Sequence, residues 1–233
     1  NSISSLINFV VKSDTKIYWL FDNNQSKIQF RKIIDPDYKH SREKEKLPRE
    51  FYEYLDIFAN IMLHYSDNFY VAYAKRYEAD DLVLPILQGL DLKNKKVLLV
   101  SADMDWGRSI NENIEWYNYK EIYNENKFIE KFKFSPVGKK IQLFKALKGD
   151  RSDNIENAVD HLPSHCLEEI LSKYETPQQV FDNLNTIKSL TETFKNKIRI
   201  NRDQILKNYD LADFCEIDLP IEQVLNKSKF NKE

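Results

Sequence analysis

The chain has 233 residues, 42% of them hydrophobic and 31% charged, and a formal net charge of −2. That length suits one α/β domain, or a domain with a helical appendix, around a sizeable core. Only four glycines are present, which argues against a glycine-looped nucleotide-binding fold and against disorder. Because the total charge is balanced, nucleic-acid binding must be judged from how the charges segregate.

Along the chain, residues 2–11 read as a short helix and 16–21 as a buried strand ending in Asp22. Residues 23–50 are polar, carry Pro36 and Pro48, and read as a loop running into a basic segment. Residues 51–64 form an amphipathic pattern with Phe51, Leu55, Phe58 and Met62 on one face. A second strand is expected over 69–74, and a helix with an acidic start over 79–90. Residues 96–102 are almost wholly apolar, as in a strand buried on both faces, and 114–119 read as a fourth strand. From about Val137 the pattern is helical. Alternating strands and helices followed by helices predict a parallel-sheet α/β domain over 1–135 and a helical region over 136–233.

Cys166 and Cys215 are far apart and without a metal-ligand pattern, as expected of free thiols in a reducing compartment. No apolar run is long enough to span a bilayer, and a soluble intracellular protein is expected. The first residue is Asn1 rather than Met, so a trimmed, processed or partial chain is expected.

The placement of the acids carries the most information. Asp22 ends the first strand, and Glu78, Asp80 and Asp81 open a helix. Asp103 and Asp105 follow the third strand, and Asp150 and Asp153 flank a turn after a lysine-rich helix. Sites in open α/β sheets form outside the carboxyl ends of the strands, where these groups are expected to converge. Converged carboxylates repel unless cations neutralise them, and all-oxygen ligands suit Mg²⁺ or Mn²⁺. Taken singly, each acid is better explained as a cap or turn residue. Lys131, Lys133, Lys139, Lys140, Lys145 and Lys148 occur in a run without acids, and residues 39–49 add Lys39, Arg42, Lys44, Lys46 and Arg49. Bases therefore flank the acids, as a phosphate-binding surface needs.

The order of these groups resembles a known family. Leu20-Phe21-Asp22 resembles a strand-end F-D, and Phe30-Arg31 with Pro36-Asp37-Tyr38-Lys39 and Arg42 resembles the F-R … P-x-Y-K-x-x-R entry to a helical arch. Tyr77-Glu78-Ala79-Asp80-Asp81 resembles the EADD motif, and Ser101-Ala102-Asp103-Met104-Asp105-Trp106 the S/T-x-D-x-D motif. Gly149-Asp150-Arg151-Ser152-Asp153-Asn154-Ile155 is similar to G-D-x-S-D-N-I. These are motifs of the flap endonuclease and phage 5′-3′ exonuclease family, and the Trp resembles the phage members.

The resemblance implies a PIN-like fold with a helix–three-turn–helix and two ions of Mg²⁺ or Mn²⁺. It implies Asp22, Glu78, Asp80 and Asp103 as ligands of the first ion, directly or through water. Asp105, Asp150 and Asp153 would form the second set, with Asp81 between. Lys39 and Arg42 would reach the scissile phosphate. Arg31, Tyr38 and Arg151, with Lys139, Lys140, Lys145 and Lys148, are expected to contact DNA. The implied activity is a structure-selective 5′-3′ exonuclease and flap endonuclease in replication or repair. Its substrate would be DNA, or RNA in a hybrid, with a 5′ flap, nick or free 5′ end. A monomer is expected, with no membrane partner and with replication proteins as candidate partners.

Three features depart from the family. No segment before residue 16 reads as the family's first strand ending in Asp-Gly, so a central strand and one ligand are expected to be missing. Residues 156–167 lack the glycines that bring backbone N–H groups to a phosphate, so that contact, with its potassium ion, is doubtful here; Ser164 is expected to cap the helix that follows. The arch, residues 37–52, is short. The alternative reading is a non-catalytic or truncated junction-binding relative. A plain α/β interaction domain with surface acids would not produce ordered motifs.

Overall fold

The computed structural model describes residues 14–21, 30–40, 48–72, 77–214 and 225–226. The expected helix at 2–11, Asp22, Arg42, Lys44, Lys46 and Cys215 lie outside the described residues. In chain order come β1 (Ile17–Leu20), α1 (Phe30–Ile34), α2 (Arg49–Tyr65), β2 (Phe69–Ala72), α3 (Val83–Gly89) and β3 (Val97–Val100). They are followed by β4 (Ile114–Tyr117), β5 (Ile122–Tyr123), α4 (Glu125–Phe132), α5 (Lys140–Lys148), α6 (Ser164–Lys173) and α7 (Pro177–Asp182). The last elements are α8 (Glu192–Ile200), α9 (Arg202–Leu211) and β6 (Leu225–Asn226). Two compact units result, one of residues 1–29, 44–90 and 215–233, the other of 30–43 and 91–214.

In the first unit β1 and β2 pair in parallel, Ile17 opposite Phe69 and Leu20 opposite Ala72, and β6 joins β2 antiparallel. Alternation along the strands divides the core. Phe69 and Val71 meet Ala59 and Met62 of α2, with Ile17, Trp19, Phe21 and Phe58 around them. On the opposite face Ala72 meets Leu82 and Ile86, with Tyr18 and Leu20 alongside. The amphipathic pattern predicted over 51–64 is the buried face of α2, although Phe51 at its first turn is exposed. The predicted helix over 79–90 is a 3₁₀ turn, Asp80–Leu82, leading into α3.

In the second unit β3 and β4 are parallel and β5 turns back antiparallel on β4. Trp116 stacks on Tyr123 at 5.1 Å and packs with Phe128. β3 was expected to be buried on both faces, yet Leu98 is 48% and Val100 44% exposed. Among the described residues β3 has one strand partner, β4, which leaves one edge and one face of the strand uncovered. Helix α5 lies at the centre of the helical part, and Ile141, Leu143, Ala146 and Leu147 are all buried. It packs most closely against α9. Arg31 on α1 donates from Nε to the Leu211 carbonyl at 3.0 Å and from Nη2 to that of Asp213 at 2.5 Å. A guanidinium there satisfies carbonyls that the end of α9 leaves open. Ser164 does not cap α6: Pro163 holds the N-cap position, without a side-chain cap hydrogen bond.

Candidate functional site

A cluster of charged side chains in the second unit forms where β3 ends. Ser101 and Asp103 leave the strand, and the indole Nε1 of Trp116 donates to the Ser101 carbonyl at 2.9 Å. Asp103 caps the 3₁₀ turn Met104–Ser109, its Oδ1 accepting from the Asp105 N–H at 2.9 Å. A short polar side chain at an N-cap is the ordinary local answer to an open backbone N–H. The cap also turns Asp105 inward, and Asp105 is buried.

Asp150 arrives from the opposite side, at the end of α5. Gly149 there has φ +72, and an added Cβ would lie 2.6 Å from the Ile155 carbonyl oxygen. That approach lets Asp150 and Ile155 exchange two backbone hydrogen bonds of 2.9 Å, which close the turn. Asp150 Oδ1 accepts from the Ser152 N–H at 2.9 Å and from its hydroxyl at 2.6 Å, so Oδ2 faces the cluster. The same turn receives the segment after α1. The Lys39 N–H donates to the Asp153 carbonyl, and the Tyr38 hydroxyl donates to Asp153 Oδ2 at 3.4 Å. Lys39 Nζ stands 3.8 Å from Asp153 Oδ1. Asn154, in the left-handed region at φ 60, donates to the Asp37 carbonyl.

Between the aspartates stands Lys145, 4% exposed. Its Nζ is 2.7 Å from Asp150 Oδ2, 2.8 Å from Asp105 Oδ1 and 3.8 Å from Asp103 Oδ1. Burial disfavours the charged ammonium, but the three carboxylates outweigh it and hold Lys145 above its ordinary range. Burial raises the Asp103 carboxyl, with neighbouring Asp105 adding to the rise, against the pull of Lys145. Asp150 is held below its ordinary range: burial opposes this, but the ammonium and the Ser152 hydrogen bonds prevail. Arg108 Nη2 approaches Asp105 Oδ1 at 3.6 Å, and its guanidinium lies 3.8 Å over the Phe214 ring. A cavity of about 640 Å³ opens onto Asp103, Lys145, Asp150, Arg151 and Ser152.

Comparison with known proteins matches residues 1–133 to the family described as 5′-3′ exonuclease, N-terminal resolvase-like domain. The chain belongs to the 5′-3′ exonuclease family. A 5′-3′ exonuclease of Buchnera aphidicola from Schizaphis graminum is 29% identical over 231 residues, 93% of this chain and 76% of that protein. Its counterpart from the Acyrthosiphon pisum symbiont is 28% identical over 151 residues, where the match spans 62% of this chain and about half, 51%, of the relative. The fold is that of T5 5′-exonuclease with bound divalent metal ions (zinc), at TM-score 0.66 and 21% identity over 91% of this chain and 78% of that one. The bacteriophage T5 flap endonuclease in a pseudo-enzyme–product complex with DNA and metal ions gives TM-score 0.65 at 18% identity, covering 91% and 80%.

Of the acids expected from this family's motifs, Asp103, Asp105 and Asp150 gather around Lys145, with Asp153 on the same turn as Asp150. In the first unit, Glu78 and Asp81 are buried at the start of the 3₁₀ turn, where the Glu78 N–H donates to Asp81 Oδ2 at 3.0 Å. Asp80 opens that turn, whose N-cap position is held by Ala79 without a side-chain cap hydrogen bond. Three residues expected on the DNA-facing surface are instead buried: Arg31 joins α1 to α9, Tyr38 bonds Asp153, and Lys145 lies among the carboxylates. Lys139 and Arg151 are exposed, and Lys140 and Lys148 are half-buried.

Helix α5 is enclosed along most of its length, with Ile141, Gln142, Leu143, Lys145, Ala146 and Leu147 buried. The apolar residues on every side of Lys145 were the signal that could have marked it as internal. Arg108 was not anticipated, and no sequence pattern marks it. Among the described residues no three His, Cys, Asp or Glu side chains are already drawn together as a metal cage. The donors nevertheless suit a hard divalent ion: they are carboxylates throughout, and a cation, the Lys145 ammonium, already stands between two of them.

Proposed function

We propose that this chain carries the nuclease centre of a structure-selective 5′ nuclease, hydrolysing phosphodiesters of DNA, or of RNA in a hybrid, at a 5′ flap, nick or free 5′ end. The observation that carries the reading is the Asp103–Asp105–Asp150 group closed around a buried cation at the mouth of a polar cavity. Family membership and the T5 structures solved with metal ions and with DNA support it.

Asp105 and Asp150 would hold a Mg²⁺ or Mn²⁺ ion, with Asp103 and Asp153 flanking it. Asp22, Glu78, Asp80 and Asp81 stand as proposed ligands on the resemblance of their motifs alone. When bound, such ions supply Lewis-acid polarisation and lower the pKa of a coordinated water. The protein's own part is positional. The capped turns at Asp103 and Asp150 fix carboxylate oxygens without side-chain freedom, so little reorganisation remains for the reaction. Lys39, tied to Asp153 through backbone and side chain, would offset charge developing on the scissile phosphate. Arg42 is proposed for the same role by resemblance. Lys139, Lys140, Lys148 and Arg151 would bind the phosphate backbone, which makes affinity fall with salt.

The test is cleavage of a 5′-end-labelled flap duplex, by the wild type and by Asp103→Ala, in Mg²⁺ and after chelation. Cutting near the junction that needs metal and disappears in Asp103→Ala is the expected result. Salt-dependent junction binding without cutting by either protein would favour the non-catalytic reading.

A further inference from the structure

Lys145 was expected to be a surface contact and is instead the most enclosed charge of the cluster. We propose that its ammonium is a built-in counter-cation standing where a divalent ion would bind, and that metal enters by exchange, displacing the lysine from the aspartates. The inference rests on the reading of this cluster as a metal site.

Three observations carry it. The first is position: Nζ lies 2.7 Å from Asp150 Oδ2 and 2.8 Å from Asp105 Oδ1, with Asp103 Oδ1 at 3.8 Å. Oxygen-ligated Mg²⁺ sits roughly 2.0–2.1 Å from its donors and requires much the same space. Two positive charges sharing those oxygens would repel strongly at low dielectric. The second is the character of the contact. Both Lys145 and Asp105 are buried, and Nζ meets oxygens of three carboxylates at once. Oxygens of several carboxylates gathered around one cation are also the donor set that a hard divalent ion takes. The third is the exit. Lys145 lines the cavity of about 640 Å³, so its flexible four-carbon stem can swing outward without unfolding α5.

The device has a structural consequence. Three partly buried carboxylates without a counter-charge would destabilise the metal-free fold. With Lys145 in place, the metal-free protein keeps the cluster partly neutralised and assembled. The cost is affinity, because the incoming ion must break the lysine's ion pairs before it gains its own.

The experiment uses the full chain without DNA. Mn²⁺ binding is measured by calorimetry for the wild type and for Lys145→Met, which keeps the stem and removes the charge. Exchange predicts tighter binding to the variant, on the order of tenfold or more; equal or weaker binding overturns it. Should Lys145→Met fail to fold, labelling of the wild type decides. Acetylation at Lys145, read by mass spectrometry, should rise when saturating Mn²⁺ is added. An unchanged or lower yield overturns the exchange while leaving the metal reading intact. Absence of Mn²⁺ binding to the wild type and to the folded variant would overturn both.

Discussion

Four aspartates with the same intrinsic chemistry are given different work by their local backbone. Asp103 spends one oxygen on the Asp105 N–H, and Asp150 spends one on Ser152. Asp153 binds Tyr38 and faces Lys39. Burial raises the Asp103 carboxyl, whereas Lys145 and Ser152 overcome burial at Asp150 and hold it low. What permits this geometry is Gly149, because its φ of +72 and its contact with the Ile155 carbonyl leave no room for a Cβ. Gly149→Ala should therefore cost at least about 2 kcal/mol in urea denaturation. It should also slow any cleavage by displacing Asp150; a variant as stable as wild type would show that the turn can relax.

At this scale the sequence was readable where a motif dictates a turn. Asp103, Asp105, Asp150 and Asp153 could be named because S-A-D-M-D and G-D-R-S-D-N-I specify caps and a glycine bend. Arg31, Tyr38 and Lys145 could be named as well; the burial of Arg31 and Tyr38 was not legible, since it depends on the end of α9, whose sequence carries no motif.

Among the elements, α2 was legible from its period of apolar residues, and β1 and β2 form within the segments expected to be strands. β3 was misjudged because a continuous apolar run reports what the strand can bury, not how many neighbours it finds. The helical part is joined by polar contacts that no periodicity reveals. Glu169 on α6 accepts from Lys173 Nζ at 2.6 Å and from the N–H groups of Ser189, at 2.8 Å, and Lys188. Together, Lys173 first, these hold its carboxyl at about 2, below its ordinary 4.5. A depressed folded-state pKa gives stability that is present above about 4.5 and is lost as pH falls toward 2. Glu169→Gln should thus lower Tm at pH 7, and the gap should narrow as pH falls from about 4.5 toward 2. A gap independent of pH would mean that the carboxylate charge is not what links α6 to residues 188 and 189.

The whole molecule belongs to the 5′-3′ exonuclease family and shares its fold with the T5 proteins. Among the described residues no helix is long and apolar enough to cross a membrane. The central claim is that Asp105, Lys145 and Asp150 surround the point where a phosphodiester is hydrolysed. Its most direct test is the single-turnover rate of Asp150→Asn against wild type on a labelled 5′-flap duplex in Mg²⁺, with DNA binding measured in parallel. We predict a rate lower by about 100-fold or more with binding retained; an unchanged rate would contradict the account.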